Sequence, residues 1–313
     1  MIHWGIIGLG NIAMRFMNSL SHHEEGITYA VASLTALKRD RFQEQYPAIK
    51  VYQNYDELLD DPKVDAVYIA LRHNDHYQWA LKALHRGKAV LCEKPATLSY
   101  MQTKELCETA KKENVLFMEA MKTRFVPMME KLKQVDIGTI QRVETSFCYE
   151  SAYREGYYLY DQYQGGILYD VGTYNIAAIL FWINSPLKSL QSHCEKKYGV
   201  DAYDEVEICF ENGSTAFLQM ALDRNLPKKM RVIGSLGYLE AEPFYRPETV
   251  KVTLNSKESY TLYAPYIVDD FYTEIEEAHH CIHQGLVESP KMTHQDSLKC
   301  MRMMEKIKES FDD

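Results

Sequence analysis

The 313 residues are 46% hydrophobic and 25% charged, the make-up of a folded globular protein with room for two domains. A formal net charge of −9 speaks against a nucleic-acid surface, which needs clustered Lys and Arg, and no apolar run is long enough to span a membrane. Seven cysteines without a CxxC pair, behind a start (MIHWGIIGLG) lacking the basic flank of a signal peptide, lead to the expectation of a cytoplasmic protein with reduced thiols.

In chain order, residues 2–8 (IHWGIIG) read as a buried strand. Gly8-Leu9-Gly10-Asn11-Ile12-Ala13 follows and fits G-x-G-x-x-G/A, with a helix beyond it carrying Ile12, Phe16, Met17 and Leu20 on one face. Each position has a mechanical reason. Gly8 permits the turn, Gly10 admits a pyrophosphate close to the backbone, and Ala13 lets helix and strand pack. Free N–H groups of the first helical turn, at Asn11 and Ile12, then meet the phosphates. ITYAVAS (27–33) is strand-like and KRDRFQEQY helical. Asn54 with Glu57 caps a short helix through Leu59, and DAVYIAL (65–71) is a near-continuous apolar strand. A helix from about His76 to Gly87 follows.

Next comes AVLCEKPATLS (89–99), an apolar strand that runs straight into Glu93, Lys94 and Pro95. Ser99 and Gln102 then form a capping box for a helix to about Glu113, and VLFMEA (115–120) closes the series. Repeated strand–helix units imply a doubly wound parallel sheet, in which ligands sit beyond the carboxyl ends of the strands. Glu93-Lys94-Pro95 stands at such an end, so a functional reading outweighs that of a strand simply reaching solvent. The second strand ends Ala32-Ser33-Leu34-Thr35, with Lys38 and Arg39 beyond, and lacks the acid that would hold adenosine ribose hydroxyls. Ser33, Thr35 and Lys38 suit a 2′-phosphate, so NADP is expected ahead of NAD.

After about Ala120 strand-like segments dominate (140–149, 188–197, 204–211, 214–222, 228–234, 237–242, 249–254, 259–263), with Asn212-Gly213 as a hairpin turn. One strongly apolar helix, about 166–183, lies across them, and helices near 269–284 and 293–310 finish the chain. The expected architecture is a Rossmann domain over 1–120 and an α+β open-sheet domain over 121–313. Asp170 and Tyr174 share a face of the helix 166–183, and the buried Asp170 needs a partner, a lysine being the natural one. His279 and His283 have metal-ligand spacing, but no third ligand stands near and no metal is expected.

Four ordered motifs, Gly8 to Ala13, Glu93-Lys94-Pro95, Phe117 to Phe125 and Gly165 to Tyr174, resemble the Gfo/Idh/MocA oxidoreductases, especially the dimeric dihydrodiol dehydrogenase branch. The resemblance covers nearly the whole chain. It implies hydride transfer between NADP or NAD and a secondary alcohol or carbonyl of a sugar, polyol or cyclic diol. It also implies a homodimer or higher homo-oligomer through the C-terminal sheet, a last helix that returns to the first domain, and a cis Lys94–Pro95 peptide. Cofactor contacts carried over are Leu71, His73, His76, Glu93, Lys94 and Arg124.

Removing a hydroxyl proton while hydride leaves carbon calls for a proton acceptor and a group to steady the alkoxide. Lysine and tyrosine both titrate near 10 unperturbed, and a cationic Lys94 beside Tyr174 favours tyrosinate. The reading adopted makes Tyr174 the general acid/base, Lys94 the substrate-binding cation and proton partner, and Asp170 the orienter, with Lys94 as proton donor left open. Two alternatives fit the same cofactor domain: an NAD-dependent glycosidase with no net cofactor turnover, and a non-catalytic cofactor-binding regulator.

Overall fold

The computed structural model describes residues 1–311. In chain order the strands are β1 Ile2–Ile7, β2 Gly26–Ala32, β3 Lys50–Tyr52, β4 Ala66–Ile69, β5 Ala89–Glu93, β6 Phe117–Ala120, β7 Ile140–Glu150, β8 Leu187–Lys197, β9 Val200–Phe210, β10 Thr215–Ala221, β11 Asp223–Leu226, β12 Met230–Gly234, β13 Gly237–Ala241, β14 Thr249–Leu254 and β15 Ser259–Tyr263. The helices are α1 Asn11–Leu20, α2 Ala36–Gln45, α3 Tyr55–Asp60, α4 His73–His85, α5 Tyr100–Glu113, α6 Met128–Leu132, α7 Thr173–Trp182, α8 Tyr272–His283 and α9 His294–Glu309.

Residues 1–125 and Ile267–Leu298 form one compact unit; Val126–Tyr266 and the chain from Lys299 form the other. The stretch holding α8 and the first residues of α9 groups with the first unit. The rest of the final helix does not: Lys308 Nζ donates to Tyr169 Oη at 3.1 Å within the second.

The first unit is built on a parallel sheet in the order β3-β2-β1-β4-β5-β6. The period-2 alternation of β1 explains its apolar run. Ile7 joins a core with Leu58, Ile69, Leu84, Val90 and Leu106, from α3 to α5, while Trp4 meets Phe16 of α1 on the opposite side. Phe16 stacks on Tyr68 at 3.9 Å between ring centres. Removing a fully buried ring such as Trp4 costs about 3–5 kcal/mol. Caps form where the sequence places them: Asn54 accepts from Glu57 N–H at 2.8 Å, and Ser99 from Gln102 N–H at 3.3 Å. Helix α4 begins at His73, three residues before the expected start. The short β3 was not foreseen; three residues carry too little periodicity.

The second unit holds a mixed sheet in the order β15-β14-β13-β12-β7-β10-β9-β8, with β11 on β7. β7 and β10 pair in parallel, and the other pairs are antiparallel. Gly213, with φ of +85°, closes the β9–β10 hairpin behind Asn212, as the Asn-Gly pair predicts. Helix α7 packs on β7 and β10. The sheet also carries outward charges, among them Arg142 between Glu144 and Glu207 at 2.8 Å each.

The helix expected over 166–183 starts differently. Leu168–Gly172 is a π turn, and only Thr173–Trp182 is α-helical. Two contacts shape this entry. Asp201 Oδ2 accepts from Leu168 N–H at 2.8 Å, and a side chain at Gly172 would collide with the Met220 sulfur of β10.

Candidate active site

The glycine turn behaves as its spacing demands. Gly8 has φ of +98°, and a Cβ there would lie 2.4 Å from the Ala70 carbonyl, so only glycine fits. A Cβ at Gly10 would meet nothing within 4 Å, which leaves room beside the backbone. Helix α1 has no side-chain cap and no acid in its first turn, where Asn11 is exposed and Ile12 half-buried. Uncapped N–H donors and the positive end of the helix dipole suit a diphosphate. These residues fit a dinucleotide.

At the end of β2, Ser33 is buried, and its Oγ accepts from Thr35 N–H at 3.3 Å. Arg39 Nη1 donates to the Ser33 carbonyl at 2.7 Å, so Arg39 is the cation folded against this strand end. Lys38 and Thr35 are exposed. The strand-end environment carries no carboxylate at Ser33, Leu34 or Thr35, consistent with a 2′-phosphate in place of a free ribose hydroxyl.

The β5 end is densely held. Tyr68 Oη donates to Glu93 Oε1 at 2.5 Å, and Glu93 Oε2 accepts from Lys94 N–H at 3.2 Å. The Lys94–Pro95 peptide is cis. Glu119 of β6 accepts from Ala96 N–H at 3.0 Å, and its complete burial pushes its carboxyl above the usual range. Lys94 itself is half-buried.

His76, expected as a cofactor contact, is enclosed between two backbone carbonyls. Its side chain has no exposed surface, its Nδ1 lies 2.8 Å from the Pro95 carbonyl, and its Nε2 lies 3.2 Å from that of Leu71. The ring thus ties the segment after β5 to the segment after β4, and burial holds its pKa below the ordinary value. Leu71 is half-buried, and its side chain lies beside the space a Cβ at Gly8 would take. His73 is buried next to His76, with ring centres 6.0 Å apart. Arg124 is also buried, in a single 3-10 turn after β6, and pairs with Asp296 of α9 at 3.5 Å.

In the second unit Asp170 lies on the π turn and Tyr174 in the first turn of α7. Within this unit, tyrosines reach the Asp170 carboxylate. Tyr149 Oη, at the end of β7, donates to Asp170 Oδ2 at 2.5 Å, and Tyr158 bonds the same carboxylate. Burial and the carboxylate's charge push both phenols well above the ordinary range, so both stay protonated donors. The Tyr174 ring is buried against Phe147 and Tyr245, at 5.9 and 5.7 Å between centres. Tyr149, Tyr158 and Asp201 were not singled out in the sequence. The crowding of tyrosines between 149 and 174 was the available signal for the first two.

His279 is buried, and its Nε2 accepts from Trp4 Nε1–H at 3.0 Å. Burial lowers its pKa to about 4. Among the described residues no three His, Cys, Asp or Glu gather as metal ligands, and no helix is long and apolar enough to cross a membrane.

With this geometry in place, comparison with known proteins is specific. A family model described as "Oxidoreductase family, NAD-binding Rossmann fold" matches residues 2–121, and one described as "GFO/IDH/MocA C-terminal domain" matches 125–240. Trans-1,2-dihydrobenzene-1,2-diol dehydrogenase of Mus musculus is 28% identical over 327 residues, covering 99% of this chain and 97% of its own. The scyllo-inositol 2-dehydrogenase (NADP(+)) IolU of Bacillus subtilis (strain 168) is 28% identical over 320 residues, with coverage of 99% and 97%. Among solved structures, KijD10, a 3-ketoreductase from Actinomadura kijaniata in complex with NADP and TDP-benzene, superposes with a TM-score of 0.88. It is 25% identical, covering 99% of this chain and 97% of that one.

Proposed function

We propose, on the premise that the chain belongs to the GFO/IDH/MocA oxidoreductase family, that it interconverts a secondary alcohol and a carbonyl on a sugar, polyol or cyclic diol, using NADP. The observation that carries this reading is the intact Asp170–Tyr174 turn, with its carboxylate already held by Tyr149, in a chain that also keeps the glycine cradle at Gly8 and Gly10. Relatives named as NADP-dependent sugar and polyol dehydrogenases support the substrate class and the cofactor.

Gly8, Gly10, Asn11 and Ile12 would hold the pyrophosphate; Ser33, Thr35 and Arg39, with Lys38 beyond, would hold the 2′-phosphate. Leu71, His73, Glu93, Lys94 and Arg124 complete the proposed cofactor set. When bound, the nicotinamide supplies the hydride chemistry. Tyr174 acts as general acid/base at the substrate oxygen, Lys94 is the substrate-binding cation that steadies developing negative charge, and Asp170 orients the turn. Tyr149 and Tyr158, locked as donors, keep Asp170 an acceptor and fix its carboxylate plane.

Scattered free cysteines suit a reducing cytoplasm. We also infer self-association through the second unit's sheet, which sedimentation at several protein concentrations would test. A screen of sugars, polyols and diols, followed at the absorbance of reduced nicotinamide with both cofactors, tests the activity. Glycoside hydrolysis without net cofactor turnover would favour the glycosidase alternative, and ligand binding without any turnover the regulator.

A further inference from the structure

The rings around Tyr174 carry cations that the neutral substrates named so far do not need. Lys228 Nζ sits 5.3 Å from the centre of the Phe147 ring and 6.0 Å from that of Tyr149. Phe147 packs on Tyr174, and Tyr149 donates to Asp170, so Lys228 is one ring away from both proposed active residues. The Arg154 guanidinium lies 4.1 Å over Tyr157, whose ring is 4.9 Å from that of Tyr158, the second donor to Asp170.

Two other cations stacked on rings in this unit are also neutralised. Arg224, 3.8 Å over Tyr203, pairs with Glu195 and Asp223, and Arg231, over Tyr238, lies 3.9 Å from Glu240. Among the described residues neither Lys228 nor Arg154 has a carboxylate partner. In a chain where 44 acidic residues outnumber 35 basic ones, the half-buried Lys228 and the exposed Arg154 add positive charge to the rings around Asp170 and Tyr174. Lys228 is half-buried and its carbonyl accepts from Phe244 N–H at 3.0 Å, which fixes the backbone that carries it.

We propose that the substrate of this site bears an anionic group, a phosphate or a carboxylate on the sugar or polyol, recognised by Lys228 and Arg154. The proposal rests on the oxidoreductase reading and adds the charge of the substrate to it. A guanidinium can take two oxygens of such a group and an ammonium one, and charge-assisted hydrogen bonds of this kind outweigh neutral ones. The ring faces beneath both cations hold the side-chain stems and keep the charges aimed away from the apolar surface.

The test compares kcat/KM, with NADP, for glucose, glucose 6-phosphate and glucuronate. At least one anionic member should exceed glucose by about ten- to a hundredfold, the size expected for hydrogen bonds to a charged group; the better of the two identifies phosphate or carboxylate. In Lys228→Met/Arg154→Met, which keeps apolar stems over the rings, that preference should fall towards parity. Lys228→Arg should retain it. Glucose as the best substrate, or a preference that survives the double substitution, overturns the proposal while leaving the oxidoreductase reading intact. Turnover of none of the three counts against that reading instead. Calorimetric titration of glucose 6-phosphate and glucuronate into the NADP-saturated protein then decides the anion site alone: binding lost in the double variant supports it, and no binding to the wild type overturns it.

Discussion

Tyr149 donates its phenolic proton to Asp170 at 2.5 Å, across 21 residues of chain, and so joins the end of β7 to the π turn that precedes Tyr174. Tyr149→Phe keeps the ring and leaves a half-buried carboxylate short of one donor. Stability should fall by about 1–3 kcal/mol, read from urea midpoints at unchanged slope. Turnover should fall with it while the affinity for NADP holds. Unchanged turnover would mean that the Asp170 carboxylate needs no such support.

Tyr174→Phe separates chemistry from packing. The ring contacts with Phe147 and Tyr245 survive, and only the hydroxyl is lost. Turnover should drop by about 10²–10⁴-fold, the usual contribution of a general acid–base group, with folding stability close to wild type. A purely structural tyrosine would give the opposite pattern, near-normal turnover with reduced stability.

Cofactor choice is testable at Ser33. The wild type should bind NADP more tightly than NAD in calorimetric titration. Ser33→Asp still accepts from Thr35 N–H but places a carboxylate where a 2′-phosphate is expected, so the preference should shift towards NAD by roughly tenfold or more, about 1.4 kcal/mol. A preference that stays put in this variant would remove the strand end from the cofactor reading.

His279 gives the fold an acid-sensitive joint. Its Nε2 must stay unprotonated to accept from Trp4, and its pKa of about 4 lies below the unfolded value of about 6.5. Its contribution is therefore fully present above pH ~6.5 and is lost as the pH falls through ~4, because the unfolded chain takes up the proton first. His23 and His283 face the same ring and add to the effect. Between pH 7 and 4.5 the loss should reach about 2–3 kcal/mol. His279→Gln offers an acceptor that does not titrate, so its urea midpoint should fall less than that of the wild type between pH 7 and 4.5. Parallel declines would assign the acid sensitivity to other groups.

Local pattern alone determined a good deal. The strand–glycine–helix opening, the capped starts at Asn54 and Ser99 and the Asn212-Gly213 hairpin were all legible, because each depends on neighbours within a few residues. The alternation of strands and helices was enough to imply the parallel sheet, since a crossover helix leaves few other ways to cover both faces. What the tertiary structure decided lies at long sequence separation. Asp201 meets Leu168, Tyr149 meets Asp170, and His279 accepts from Trp4 across 275 residues. The π turn before α7, the tyrosine partners of Asp170 and the sealed ring of His76 follow from such contacts. Strand register and helix docking set which side chains meet, and neither is encoded in the periodicity of a single segment.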